Sequence, residues 1–180
     1  MTLVRSDRKT CVSARLTARW TAVDTLPAVN GVLVGLNALY MILVAFGNIT
    51  DFAVNRQFVR HVLAMDTIDL GRTPGTGMDS NVMWRALNAA TLQNAVYVGI
   101  IVWELAAALV LASAVVMWIV DQTMCKGSAR HLSTVGLLMV VLLFFGGFID
   151  VGGEWFQMWR SAAANGLDSA FRNAVFAIAT

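Results

Sequence analysis

Charge is what this sequence has least of: Asp, Glu, Lys and Arg make up 13% of its 180 residues, against 58% that are hydrophobic. The absence is also local. There is no charged residue from Leu26 to Phe46 or from Leu132 to Ile149, and between Val96 and Val120 the only one is Glu104. A soluble helix keeps one polar face, so runs of this kind exclude the ordinary globular class. At about 1.5 Å per helical residue they match a hydrocarbon core of about 30 Å. Lipid offers no partner to backbone N–H and C=O groups, so the spans must be helices.

Other scarcities remove whole chemistries. The only cysteines are Cys11 and Cys125, both expected on the cytoplasmic side, so no disulfide and no paired-Cys metal site is expected. The only histidines, His61 and His131, fall on opposite sides of the expected topology, which argues against a bis-histidine haem. There is no HExxH, no G-x-S-x-G elbow and no glycine-rich phosphate loop. No cofactor is expected, and an enzymatic role has no motif behind it.

What is present organises into a basic tail and a membrane domain. Residues 1–24 carry Arg5, Arg8, Lys9, Arg15 and Arg19 ahead of a full apolar span with no cleavage site, which reads as a juxtamembrane tail against anionic lipid. The tail would meet lipid rather than nucleic acid. With Lys126 and Arg130 in the 121–131 connection, seven of the thirteen basic residues fall on the tail's side. That density places the N-terminus in the cytoplasm of a multi-pass inner-membrane protein. Residues 25–180 form a single transmembrane domain with helices over about 26–47, 91–120, 131–151 and 167–180, the last one short.

The chain also repeats itself. FGNITDF (46–52) aligns with FGGFIDV (145–151), and MWRALNAATLQNA (83–95) with MWRSAAANGLDSA (158–170). Both pairs come in the same order, each between a helix leaving and a helix returning. This is the pattern of a parallel internal repeat, two helical hairpins making an all-α, up-down bundle of four helices. The first half adds an outer interfacial segment, 51–85. Its start is amphipathic, with Phe52, Phe58, Val59, Val62 and Leu63 on one face and Asn55, Arg56 and Arg60 on the other. A Gly/Pro turn follows at 72–77.

At NITDFAVNRQFVRHVLAMDT (48–67), at MWRAL, in the Tyr97–Glu104 helix and at GGEWFQMWRSAAANGLDSAFR (152–172), the sequence resembles a family of bacterial small integral membrane proteins, domain of unknown function 2165. The resemblance covers roughly Leu26 to the C-terminus. It implies a four-helix inner-membrane protein and brings no activity with it. This chain reads Ala-Asn-Gly at 164–166 where the family pattern has Trp-Asn-Gly.

Glu104 is the sharpest single feature. A carboxyl at the middle of a span costs about 2.5 to 3.5 kcal/mol on insertion scales, and the thirteen Val, Leu and Ile residues of 96–120 offset it. It is an ion, proton or ligand site, or a hydrogen-bonded lock to the first helix through Asn37 or Tyr40. Asp150 and Glu154 at i, i+4, with Asp51 at the matching place in the other half, are further ion or ligand candidates. His61, Asp66, Asp150 and Glu154 compose an oxygen-rich metal set. Against that set stands the lack of any fixed ligand spacing, and the same acids can pair with arginines at the headgroup level. Trp84, Arg85, Trp155, Trp159 and Arg160 have the chemistry of interface anchors. Gly31 and Gly35, and the pairs Gly146–Gly147 and Gly152–Gly153, allow close helix approach.

Three functions fit these residues. The first is a non-enzymatic accessory or structural subunit whose partners are the bilayer and other membrane subunits or itself. The second is a small transporter or ion-coupled protein using Glu104, with Asp51, Asp150 and Glu154 at its mouth. The third is a metal-binding membrane enzyme.

Overall fold

The computed structural model describes residues 25–69, 80–120 and 127–180, with side chains from Ala28 onward. The basic tail, the Gly/Pro turn at 72–77 and the 121–126 stretch, with Cys125 and Lys126, lie outside the described residues. By contact the chain divides into Met1–Val32 and Leu33–Thr180. Of the first unit the description covers the opening turns of one helix, where Val29 and Val32 are exposed. The remainder concerns the second unit.

Among the described residues there are five α-helices and no strand: α1 (Thr25–Thr50), α2 (Phe52–Ala64), α3 (Ala90–Val120), α4 (Gly127–Val141) and α5 (Leu167–Ile178). The last residue of α4 is followed directly by a π-helical segment, Leu142–Trp155. Three stretches are long and apolar enough to cross a membrane: Ala28–Thr50, Ala90–Val120 and Gly127–Trp155. The apolar runs therefore became the helices expected of them. The first span runs on to Thr50 and the third covers Gly127–Trp155, past the expected ends at 47 and at 131 and 151, while Ala90–Val120 agrees with 91–120 to one residue.

The packing follows small residues rather than hydrophobicity. On α3 the buried positions Gln93, Tyr97, Ile101, Glu104, Ala107, Ala108, Leu111 and Ala114 recur every three or four residues, the spacing of a helix seam. Facing it, α4 buries Ala129, Ser133, Gly136 and Val140. Trp118 Nε1 donates to Ser133 Oγ at 3.0 Å, and Trp103 Nε1 donates to the Met139 carbonyl at 3.0 Å. Trp118 meets Ser133 while Trp103 meets Met139, so α3 and α4 run antiparallel. The apolar residues pointing away, among them Leu109, Val116 and Ile119, are exposed. In a membrane protein such a face can meet lipid or another apolar helix.

The π-helical segment carries the chain through both glycine pairs. Its wider turn closes with the Phe156 N–H on the Val151 carbonyl at 3.0 Å, five residues back. Gly152 and Gly153 are buried, and a Cβ at Gly153 would lie 2.9 Å from Leu167 Cδ2. The absence of a side chain there lets the start of α5 close on this segment. α5 buries Ala170, Ala174 and Ala177. With 12 residues it is about 18 Å long, short of a hydrocarbon core of about 30 Å.

The amphipathic segment is helical over Phe52–Ala64, with Leu63 and Ala64 buried and Arg56 and Arg60 exposed. It stops at Met65, fully buried in the left-handed conformation at φ 52°. Leu87 N–H then bonds the Leu63 carbonyl at 2.8 Å, tying the stretch before α3 to the end of α2.

Candidate functional site

Glu104 is 2% exposed, and its partner lies on α1, as expected of a lock, but at a different residue. Asn48 Nδ2 donates to both carboxyl oxygens, at 3.0 Å to Oε1 and 2.8 Å to Oε2. Tyr97, two turns earlier on the same face of α3, donates its hydroxyl to the Asn48 carbonyl at 2.9 Å. Phe52 closes the group by meeting the Tyr97 ring edge-on at 4.9 Å. Asn37 and Tyr40, the partners expected from sequence, bind α5 and the chain end instead. Asn37 Nδ2 donates to Thr180 Oγ1 at 3.1 Å and to the Leu33 carbonyl at 3.0 Å. Asn173 Nδ2 donates to the Tyr40 hydroxyl at 2.6 Å. The correction has a simple cause. Asn48, near the C-terminal end of α1, lies against Glu104 in the middle of α3, so the two helices are staggered and the middle of one does not face the middle of the other.

A second group forms around Arg85. Both Met-Trp-Arg tripeptides, Met83–Arg85 and Met158–Arg160, fold into a single 3-10 turn followed by an extended residue. The Arg85 guanidinium carbon lies 5.5 Å from the Trp84 ring centre and 5.2 Å from that of Trp155. The two indoles meet edge-on at 5.7 Å. Arg85 Nη1 also reaches the Trp155 carbonyl at 3.5 Å, a long contact, while Nε is buried without a partner. Trp84, Trp155 and Trp159 remain exposed, and Arg160 Nη1 donates to Gln157 Oε1 at 2.8 Å. Arg85 is thus held between Trp84 and Trp155, tryptophans from both halves of the chain.

The remaining candidates stay apart. Asp51 is exposed ahead of α2 and makes no side-chain cap bond. Asp150 and Glu154 are both exposed on the π-helical segment. His61 Nδ1 and Asp66 Oδ1 pair at 2.7 Å. Among the described residues no three His, Cys, Asp or Glu side chains gather to hold a metal ion, so His61, Asp66, Asp150 and Glu154 are not brought together as one ligand set.

A family model described as a predicted small integral membrane protein (DUF2165) matches residues 27–180. The chain belongs to this family. No curated protein and no solved structure matches it. Family membership and the three apolar spans establish an integral membrane protein; its chemistry has to be argued from its own residues.

Reading the sequence alone missed Asn48, and Tyr97 appeared there only as part of a motif. One signal was available: Asn48 follows directly on an apolar span, and an amide that near hydrocarbon needs a partner of its own. Chemically the Glu104 group is a closed pair. A neutral amide holds both carboxyl oxygens, and no described cation bonds the carboxyl.

Proposed function

We propose that this membrane protein is a non-enzymatic accessory or structural subunit, working in a larger membrane complex or as a homo-oligomer. It lies in the inner (plasma) membrane with the N-terminus in the cytoplasm, as two helical hairpins in an up-down bundle. The observation that carries this reading is the closure of Glu104 by Asn48. The most conspicuous charge in the spans is used to join α1 to α3, which is how polar groups act between helices in lipid. The same economy recurs at Asn37–Thr180, Asn173–Tyr40 and Trp118–Ser133, each a side-chain bond between separate helices or the chain end. Left over for partners are the exposed apolar helix faces, the Trp84–Trp155 pair and the exposed Trp159.

The ion-coupled reading keeps one observation in its favour: Glu104 is paired with an amide and not with a cation, so neither protonation state is excluded by its partner. Glu104→Gln separates the two. An amide at 104 can still bond Asn48, so co-purifying subunits and oligomeric size are expected to survive, and proteoliposomes of wild type and variant should show the same proton and solute permeability. A wild-type flux that disappears in Glu104→Gln while assembly is intact would sink the structural reading.

A further inference from the structure

Beneath α2 lies an apolar cleft of about 200 Å³. Val59 and Val62 of α2 form one wall, Val96 and Ile100 of α3 a second, and Phe148 and Phe156 the third, with Gly147 and Gly152 adding no side chain to fill it. Protein interiors are packed with few voids larger than a water, and an apolar void of this size accepts apolar guests rather than water. A fixed cation, Arg85, stands beside the cleft. Its Nη1 contacts the carbonyl of Trp155, next in sequence to the cleft-lining Phe156. Two indole faces hold it, Nε has no partner, and no described carboxylate pairs with it. An apolar slot beside a guanidinium that no described carboxylate compensates is complementary to an amphiphile with an alkyl tail and an anionic head. In a chain that lives in a bilayer, the amphiphile at hand is lipid. A helix of about 10 to 12 Å diameter is too thick for such a slot.

We propose that the cleft takes one acyl chain of an anionic phospholipid whose phosphate is held by Arg85. This goes beyond the accessory-subunit reading and does not depend on it. The test uses the full chain in mild detergent, stripped of lipid and then given phosphatidylglycerol or phosphatidylcholine with identical chains. Native mass spectrometry should show one retained phosphatidylglycerol, bound about tenfold more tightly than phosphatidylcholine, the effect of one charge-assisted contact. Arg85→Gln should bring the two lipids level, and Arg85→Lys should restore part of the preference. Ile100→Trp fills the cleft and should weaken both lipids. Val62→Trp fills it from the opposite wall and serves where the first variant does not fold, as judged by gel filtration. Equal binding of the two lipids by wild type overturns the assignment of Arg85, and undiminished binding by a folded cleft-filling variant overturns the assignment of the cleft.

Discussion

At the scale of single residues, the bond between Asn48 and Glu104 governs how α1 is held. Removing one partner is not symmetrical with removing the other. Asn48→Ala leaves a carboxyl 2% exposed with no donor, at about 1 to 3 kcal/mol, the cost of an unmet buried polar group. Glu104→Leu removes the carboxyl and leaves Asn48 at the end of α1, so it should cost less. The double variant should be more stable than Asn48→Ala alone, with a coupling of about 0.6 to 2 kcal/mol in a mutant cycle. Unfolding in mixed micelles with rising SDS measures it, and additive losses would mean that the bond contributes nothing. Glu104 was legible in the sequence, because a single charge in the 25-residue stretch 96–120 has no cheap explanation. Its partner was not, because relative helix stagger is a tertiary property that no spacing within α1 encodes.

Helices as elements were legible for the same reason that their faces were not. A span is announced by missing charge, but lipid is as apolar as a protein core, so hydrophobicity does not say which side of α3 turns inward. The informative property is size. Sequence reading placed close approach at the G-x-x-x-G and at the glycine pairs, yet the tightest contact is at Gly136 of α4. A Cβ there would lie 2.6 Å from Leu111 Cδ2 and 2.7 Å from its Cγ, and Leu111 is fully buried with no room to withdraw. Gly136→Ala should therefore destabilise the bundle by about 1 to 3 kcal/mol through overpacking. Gly47, in α1, has nothing within 4 Å of such a Cβ, so Gly47→Ala should be neutral or slightly stabilising, alanine being the better helix former. Thermal unfolding of both variants in one detergent checks the order, and a reversal would mean that α3 and α4 do not pack at Gly136. The π-helical segment had no signal that periodicity could read, since it departs from 3.6 residues per turn.

For the whole molecule, the repeat and the orientation stand or fall on which side of the membrane the two Met-Trp-Arg turns lie. Trp84 from the first turn touches Trp155 at 5.7 Å, and Trp155 is three residues from the second turn. Both turns therefore belong to one end of the molecule, whatever the orientation. If the positive-inside density of the tail governs insertion, that end faces away from the cytoplasm and Cys125 faces it. Single-cysteine variants in a Cys11→Ser, Cys125→Ser background test this with a membrane-impermeant maleimide on intact spheroplasts. Asn88→Cys and Ala162→Cys, both at exposed positions just past the two turns, are expected to react without permeabilisation. A protein keeping only Cys125 is expected to react after it. Cysteines at 88 and 162 labelling from opposite sides would overturn the parallel repeat together with the Trp84–Trp155 contact. Both labelling only after permeabilisation, with Cys125 reacting before it, would reverse the orientation and leave the repeat intact. That second outcome would also turn the Arg85 end of the cleft toward the cytoplasmic leaflet, where anionic lipid is concentrated, so the side on which the Asn88→Cys variant reacts fixes which leaflet supplies the lipid proposed for Arg85.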